Sequence, residues 1–245
     1  MHMSRGEQVD QDWIVKKIHA MEWYHIIEVA PGIVTPGRYD PKPLLDTMGF
    51  PVDLRGKTVL DIGAYDGFFS FEAEKRGAKR VVALDRHPPT HKGFALAREL
   101  LGSKAEYVEG SVYDLSPEVH GTFDVVLFLG VLYHLRHPLL ALEKIHAACQ
   151  ETLLLESHVL DPHFLYLGRE MSLETLHPLL KDAPLMQFYP TDELHHDWSN
   201  WWAPTIECLR LMIESSGFRV ELSSHWADRA AFRAFRHDFS PPYWY

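Results

Sequence analysis

The sequence predicts an α/β fold with a doubly wound, mostly parallel sheet of seven strands, an N-terminal helical cap and an insertion after the fifth strand. Three observations lead to this prediction. The chain has 245 residues, of which 46% are hydrophobic and 24% charged, a balance typical of a globular domain. From residue 57 onward, short apolar runs alternate with amphipathic segments, as in strands joined by helices. A proline-rich and tryptophan-rich stretch then interrupts that alternation.

The first 50 residues are predicted to form the cap. Residues 10–29 carry apolar side chains, many of them aromatic, at roughly helical spacing, and Pro31 and Gly32 end that pattern. Residues 51–245 are predicted to form the main domain, which includes the insertion.

The strands of the main domain are predicted where an apolar run is bounded by turn residues. These runs are 58–62, 80–84, 105–109, 124–129, 152–156, 219–223 and 230–236. Helices are predicted after the first strand as far as residue 76, and over 92–101, 138–148 and 204–216. Gly217 is placed to end the last of these helices.

The insertion covers residues 158–203, where four prolines and three tryptophans replace the regular alternation. An insertion here is expected to roof the carboxyl edge of the sheet, where open α/β sheets bind ligands.

Composition excludes several classes of protein. The formal net charge is −10, so binding to nucleic acid would need a local basic patch. No apolar run reaches the ~18–20 residues of a membrane span, and a cytoplasmic location without membrane contact is expected. The two cysteines, Cys149 and Cys208, are too few for a disulfide framework or a four-cysteine zinc site.

The sixteen histidines are an unusually large number for this length. Either they bind a metal or they are scattered over the surface and the cleft. The densest group, His195, His196 and Asp197, lacks the i, i+4 spacing that places two ligands on one helix face. No metal site is therefore predicted.

The first strand is followed by a turn with two glycines, since residues 59–67 read VLDIGAYDG. Gly63 and Gly67 permit a tight turn and a close approach of the backbone to a ligand. The pattern is neither the dinucleotide fingerprint nor the P-loop. Asp61 would repel a pyrophosphate but suits a ligand that bears an ammonium group, which argues against a dinucleotide-dependent dehydrogenase.

Polar or small residues also follow the next two strands. Asp85 can accept hydrogen bonds from both hydroxyls of a ribose, or it can cap the following helix. Arg86 could lie along a purine ring or be solvated. After the third strand, Ser111 and Val112 could meet the edge of an adenine.

The fourth strand ends in Leu129 and Gly130, which leave room for a ligand, and Tyr133 and His134 follow. These two side chains are expected to project into the crevice. His134 is predicted either as a catalytic group or as a structural histidine.

Taken in this order, the motifs resemble those of class I S-adenosylmethionine (SAM) methyltransferases, which have a Rossmann-like sheet. The resemblance implies that SAM is the cofactor. The residues it assigns to SAM are Asp61, Gly63, Tyr65, Gly67, Asp85, Arg86, Ser111, Val112, Leu129 and Gly130. A SAM-binding protein without catalysis would show the same motifs.

A narrower similarity extends over most of the chain. Residues 129–139 (LGVLYHLRHPL) and 152–161 (TLLLESHVLD) are similar to segments of the CmoB-like tRNA wobble-uridine carboxymethyltransferases, which use carboxy-SAM. The resemblance implies that a lysine, a tyrosine and an arginine hold the extra carboxylate. Tyr133 matches the tyrosine and Arg229 the arginine, but no lysine occurs from residue 18 to 35 where one is expected.

The missing lysine, the acidic balance and a shorter N-terminal region favour ordinary SAM over carboxy-SAM. The sequence therefore predicts methyl transfer to an O or N atom of a small molecule, with tRNA as the disfavoured alternative. His134 is the first candidate for the base, His158 the second, and Tyr133 would orient a substrate. The acceptor is predicted to meet Tyr24, Trp198, Trp202 and Arg229, while the oligomeric state stays open.

Overall fold

The structure is a computed structural model that describes residues 5–162, 164–166, 169–180 and 182–237. Three parts of the predicted regions lie outside the described residues: 1–4 of the cap, 163, 167, 168 and 181 of the insertion, and 238–245 at the end of the main domain. The chain divides into two compact units. The first comprises residues 1–45 and 52–111, and the second comprises residues 46–51 and 112–245.

The first unit contains three helices and five strands among its described residues. In chain order they are α1 (Arg5–His19), β1 (Glu28–Ala30), β2 (Ile33–Val34), β3 (Thr58–Ile62), α2 (Phe68–Lys75), β4 (Arg80–Asp85), α3 (Phe94–Leu101) and β5 (Glu106–Glu109). Strands β3, β4 and β5 pair in parallel in that order, while β1 and β2 form a small antiparallel hairpin. The apolar residues of β3 and β4 are buried.

The second unit contains the remaining elements. They are α4 (Pro117–His120), β6 (Phe123–Leu129), α5 (Pro138–Ala148), β7 (Cys149–His158), β8 (Phe164–Tyr166), β9 (Arg169–Met171), α6 (Leu173–Leu176), β10 (Met186–Phe188), β11 (Trp202–Pro204), α7 (Ile206–Ser215), β12 (Phe218–Trp226) and β13 (Arg229–Arg236). Strand β6 pairs in parallel with β7, while β7–β13 and β13–β12 are antiparallel.

The predicted fold class is confirmed, because seven strands form a mostly parallel sheet flanked by helices. Each predicted strand is present within three residues at either end. Strands β8–β9 and β10–β11 form two separate antiparallel sheets of two strands, which lie in the predicted insertion except for Pro204 at the end of β11. The boundaries predicted for the cap, the main domain and the insertion stay predictions.

The predicted helix over residues 10–29 is wrong beyond His19, where α1 ends. Residues 20–27 form a turn and then an irregular segment with an isolated bridge between His25 and Tyr39, and Ile26 N donates to Tyr39 O at 2.8 Å. Trp23 is buried, and its indole nitrogen donates to Ile18 O at 2.7 Å, which satisfies one of the last carbonyls of the helix. The apolar periodicity therefore reflects burial of an irregular segment, not a continuous helix.

Helix α7 begins two residues after the predicted start at Pro204. Thr205 is its N-cap and accepts a hydrogen bond from Cys208 N at 3.1 Å. Gly217 follows the end of the helix with φ +92°, as its predicted role requires.

Candidate functional site

The glycine turn after β3 is shaped so that Gly67 cannot be replaced easily. Gly67 has φ +93°, and a Cβ atom there would lie 2.5 Å from the ring of Phe71 and 2.7 Å from that of Phe94. Tyr65 also has a positive φ of 54°, which is uncommon for a residue with a side chain. The turn therefore holds an unusual backbone path just before α2 begins.

Asp61, near the end of β3, is a buried carboxyl group without a cation at hydrogen-bond distance among the described residues of its unit. Ser70 Oγ donates to Asp61 Oδ2 at 2.6 Å. Burial raises the pKa of Asp61 to about 6, and the Ser70 hydrogen bond opposes this in part. A positively charged ligand group would stabilise the ionised form of this side chain.

Asp85, at the end of β4, organises the glycine turn. Its Oδ2 accepts from Tyr65 N at 2.9 Å and its Oδ1 accepts from His87 N at 3.0 Å. It does not cap a helix, because α3 begins only at Phe94. Each carboxylate oxygen has a second lone pair that can accept a ribose hydroxyl. The neighbouring Arg86 is exposed and donates to His87 Nε2 at 3.0 Å.

Asp66 is a residue that the sequence prediction missed. This fully buried carboxylate accepts hydrogen bonds from Tyr24 N and His25 N, each at 2.8 Å, and also contacts the His25 ring. It ties the segment after α1 to the glycine turn. Tyr24 thereby lies with its ring centroid 5.8 Å from that of Tyr65. The only sequence signal for this role is the position of Asp66 directly before Gly67.

Four predicted cofactor residues lie after β5 or at the end of β6. Ser111 is half-buried and ends the first unit, while Val112 is buried and begins a 3₁₀ turn in the second. Leu129 is buried at the end of β6. Gly130 has φ +73° and donates its N–H to Glu156 O at 3.0 Å.

A group of three polar side chains surrounds Gly130 in the second unit. The Arg229 guanidinium is held by both carboxylate oxygens of Glu156, with Nη2 at 2.8 Å from Oε2. The same Nη2 lies 3.3 Å from the Tyr133 hydroxyl, and the guanidinium carbon is 4.9 Å from the Tyr133 ring centroid. The pKa of Arg229 is raised well above its usual value, because burial is outweighed by Glu156 and Tyr133. Sequence reasoning missed Glu156.

His134 is half-buried in a 3₁₀ turn and is held by a residue of the predicted insertion. Its Nδ1 lies 3.2 Å from Ser199 O and 3.0 Å from Ser199 Oγ, and that hydroxyl donates to Asp197 Oδ1 at 2.6 Å. Close by, Trp201 N donates to Tyr133 O at 2.8 Å. Residues 197–201 therefore fix the orientation of the imidazole.

His158, at the end of β7, lies in a different group from His134. Its Nδ1 is 3.1 Å from Asp228 Oδ2, and His195 Nε2 is 3.1 Å from the same oxygen. Burial lowers the pKa of His158, although Asp228 opposes this shift. The pKa of Asp228 is well below its usual value because of His158. Local spacing gave no signal for this group, since its members come from three distant segments.

The predicted acceptor-binding aromatics differ in their surroundings. Trp198 is 68% exposed, whereas Trp202 is half-buried with its ring centroid 4.8 Å from that of Phe188. Trp201 lies under the Arg136 guanidinium at 4.0 Å. The roles of all these residues in binding and catalysis stay predictions.

Comparison with known proteins agrees with the fold. The model of the methyltransferase domain family matches residues 37–201, about two thirds of the chain. Among curated proteins, the tRNA U34 carboxymethyltransferase of Dichelobacter nodosus is 33% identical over 186 residues, covering 74% of this chain and 51% of that protein. Its counterpart from Pseudomonas paraeruginosa is 29% identical over 171 residues, covering 68% and 46%. The chain spans about half the length of these relatives.

Solved structures show the same architecture. The N-terminal domain of EvdMO1, crystallised in the presence of SAH and D-fucose, has a TM-score of 0.63 and 18% identity, with 96% of this chain and 98% of that chain covered. The 1,6-didemethyltoxoflavin-N1-methyltransferase of Burkholderia thailandensis has a TM-score of 0.52 and 19% identity, with 80% and 76% covered.

In the part of the chain that the structure describes, no helix is both long and apolar enough to cross a membrane. The glycine turn, the acid that ends β4 and the mostly parallel sheet are the features that the sequence motifs predicted. With the family match over two thirds of its length, the chain belongs to the methyltransferase domain family and has the class I fold of SAM-dependent methyltransferases.

Proposed function

We propose that this protein transfers a methyl group from SAM to an O or N atom of a small-molecule acceptor. The observation that carries the choice of donor is the pairing of Arg229 with Glu156. A donor with an additional carboxylate needs a cation to balance that charge. Here the charge of the candidate guanidinium is already balanced by Glu156, and Glu156 would repel a second carboxylate.

In the first unit, Lys92 is the side chain that could replace the missing lysine of the carboxylate grip. Lys92 Nζ lies 2.5 Å from Glu22 Oε2 and 5.4 Å from the Tyr65 ring centroid. Lys92 comes from a different part of the chain, but it lies beside residues 18–35, where the expected lysine is missing. Since Glu22 already pairs with it, Lys92 is not a free partner for a donor carboxylate.

The residues of the first unit suit the parts of SAM. The buried Asp61 carboxylate matches the ammonium group, and the free lone pairs of Asp85 match the ribose hydroxyls. When bound, SAM supplies a methyl group on a positively charged sulfur, and the acceptor lone pair forms its bond to that carbon as the carbon–sulfur bond breaks.

His134 is assigned as the base that takes the acceptor proton. When Nδ1 carries its hydrogen and donates to Ser199 O, Nε2 keeps the lone pair that a base needs. An imidazole base suits proton transfer at neutral pH, and such a base contributes ~10²–10⁴-fold to rate in typical enzymes. Tyr133, whose hydroxyl contacts Arg229, is assigned to orient a substrate.

The proposal of a small acceptor is supported by charge. Phosphate contacts from lysine and arginine supply much of the affinity of a protein for nucleic acid. This chain has 24 lysines and arginines against 34 aspartates and glutamates. Two solved methyltransferase-fold structures were determined with small molecules, D-fucose and 1,6-didemethyltoxoflavin, so sugars and planar heterocycles are the first acceptors to try.

Transfer to the wobble uridine of tRNA is the second candidate. It is favoured by the curated relatives, named tRNA U34 carboxymethyltransferases, and by the contact between Arg229 and Tyr133, the two residues expected at a carboxylate grip. In this alternative the donor is carboxy-SAM or SAM.

Native mass spectrometry of the purified protein in an equimolar mixture of SAM and carboxy-SAM separates the two candidates. We expect a dominant SAM adduct, followed by methylation of a member of a small-acceptor panel. A dominant carboxy-SAM adduct, with transfer to tRNA that bears 5-hydroxyuridine, would establish the second candidate instead. Binding of neither donor would contradict both.

A further inference from the structure

Three side chains of the second unit converge on one point outside the residues assigned to methyl transfer. They are His158 at the end of β7, His195 in the predicted insertion, and Asp228 between β12 and β13. One potential ligand atom from each lies within 4.8 Å of those of the other two. The two imidazole rings are nearly perpendicular, at 88°, with centroids 5.2 Å apart.

The backbone brings these residues together at some cost. Ala227, in the turn before Asp228, has φ +46°, and His195 and His196 have φ of 58° and 54°. Such left-handed conformations are uncommon for residues with side chains, because they are sterically strained. Asp228 O accepts from Val159 N at 2.8 Å, which fixes the turn beside His158.

The distances fit coordination of a common ion. Ligand atoms placed ~2.0–2.1 Å from a tetrahedral zinc ion are about 3.3 Å from one another. Asp228 Oδ2 lies 3.1 Å from both His158 Nδ1 and His195 Nε2. The distances from this carboxylate oxygen to the two imidazole nitrogens are therefore close to the distance between two ligand atoms of one zinc ion.

His158 gives an independent reason to expect a ligand. The residue is completely buried, yet neither of its ring nitrogens makes a hydrogen bond of acceptable geometry within the described residues. Nδ1 is close to Asp228 Oδ2 without being aligned for a hydrogen bond, as occurs when two atoms point toward a shared third partner. Leaving a buried polar group unsatisfied destabilises the folded state, and a bond from this nitrogen to a metal would offset that cost.

We propose that His158, His195 and Asp228 bind a divalent transition-metal ion of the zinc class. Two imidazoles and one carboxylate are ligands that zinc accepts in catalytic sites, and three protein ligands leave at least one position open. His195 is largely exposed, with 60% of its side chain accessible, so an ion can enter from that side.

The open position would take an oxygen or nitrogen atom of a small ligand. The His158 ring centroid is 6.3 Å from that of Tyr133, which the proposed function assigns to orienting a substrate. Resting on that function, the ion would bind a hydroxyl of the acceptor and lower its pKa. His158 would then serve as a ligand and not as the second candidate for the base.

The test uses the whole chain, stripped with EDTA and titrated with Co²⁺ and then with Zn²⁺. We expect one equivalent of Co²⁺ to give the visible absorption of a four- or five-coordinate ion, and Zn²⁺ to displace it. His195→Ala removes an exposed ligand and should weaken binding on the order of 100-fold or more. His196→Ala is the matched control, since this adjacent histidine is 95% exposed and lies outside the group.

The site is overturned if one equivalent of Co²⁺ gives no such spectrum, or if His195→Ala binds Co²⁺ as the His196→Ala variant does. The same two variants are titrated with SAM, and equal SAM affinity shows that the fold is intact. Metal binding is measured without turnover, so failure of the methyltransferase proposal leaves this result standing. The acceptor role alone is overturned if metal-free protein transfers methyl groups at the full rate.

Discussion

At the scale of single residues, the protonation of Asp61 links stability to ligand binding. Burial raises the pKa of this carboxyl to about 6, above its value of 3.8 in an exposed chain. The folded state therefore keeps a proton that the unfolded state releases between about pH 4 and 6. The stability that this proton contributes is fully present below about pH 4 and is lost as the pH rises through about 6.

Asp61→Asn should remove this pH dependence in the ligand-free protein. A shift of about two pKa units corresponds to about 3 kcal/mol in the free energy of unfolding. The hydrogen bond from Ser70 is weaker to an uncharged oxygen than to a carboxylate, so the measured difference should be somewhat smaller. The wild type should lose up to that amount relative to the variant between pH 4 and 7, as measured by urea denaturation. The variant should also bind SAM more weakly because it lacks the anionic partner. Parallel stability curves for the two proteins would contradict the assigned burial effect.

Asp85→Asn separates the two roles of Asp85. The amide oxygen can still accept one of the two backbone hydrogen bonds, from Tyr65 N or His87 N, but the amide nitrogen cannot accept the other, so the melting temperature should fall modestly. Loss of an acceptor for the ribose should raise the Kd for SAM by roughly 5–150-fold, or about 1–3 kcal/mol, measured by calorimetry. Glu109→Gln is the control, because Glu109 is exposed at the matching position of β5. Unchanged SAM affinity in Asp85→Asn would restrict Asp85 to the turn.

His134→Ala should lower kcat by roughly 10²–10⁴-fold and leave the Kd for SAM nearly unchanged, because a base acts on the acceptor and not on the donor. Single-turnover kinetics with the identified acceptor, together with calorimetry, measure the two effects. His120→Ala is a control on the separate helix α4. If His134→Ala reduced SAM affinity as much as kcat, the residue would have a structural role.

At the scale of elements, the antiparallel pair β7–β13 is held together by a salt bridge near one end. Arg229 is opposite His158 in the register, and its guanidinium pairs with Glu156 two residues earlier on the neighbouring strand. Glu156 is only 8% exposed in its side chain. Removing one partner of such a pair leaves a buried charge without compensation.

Arg229→Ala is therefore expected to reduce the free energy of unfolding by about 3–5 kcal/mol. The double variant Arg229→Ala/Glu156→Gln should recover part of this loss, because no net charge stays buried. Thermal and urea unfolding of the two single variants and the double variant give the coupling energy. Additive effects would show that the two side chains do not depend on each other.

The elements show how far sequence patterns reach. The apolar runs at β3, β6 and β7 predicted strands because side chains buried on both faces leave a continuous apolar signal. The segment after His19 was predicted wrongly, since Trp23 and Ile27 are buried in irregular chain at a spacing that also fits a helix. Local periodicity does not distinguish these two cases.

Whether a site residue could be predicted depends on whether the fold alone determines its position. Asp61 and Asp85 were predicted because they stand at strand ends, where the topology of the fold determines their position. Glu156, Asp228 and Ser199 could not be predicted, since their roles depend on strand register and on loop contacts with residues 65 or more positions away in the chain.

At the scale of the whole molecule, ligand binding should appear as a gain in stability. A ligand at 100 times its Kd that binds only the folded chain adds about 2.7 kcal/mol, which corresponds to roughly 5–10 °C in Tm for a protein of this size. Differential scanning fluorimetry at equal concentrations should show a larger shift with SAM than with carboxy-SAM. A larger shift with carboxy-SAM would contradict the argument drawn from the Arg229–Glu156 pair.

The backbone hydrogen bond from Trp201 N to Tyr133 O, and the contacts of Ser199 with His134, have a consequence for protein engineering. Under the proposed function, an exchange of this loop to change acceptor preference would also change the orientation of the His134 imidazole. If residues 197–201 were replaced by the loop of a relative, the His134 ring would be misaligned. The new loop would have to supply a carbonyl at position 199 to accept from the imidazole and a backbone N–H at position 201 to donate to Tyr133 O. Selectivity and proton transfer would thus have to be redesigned together in this chain.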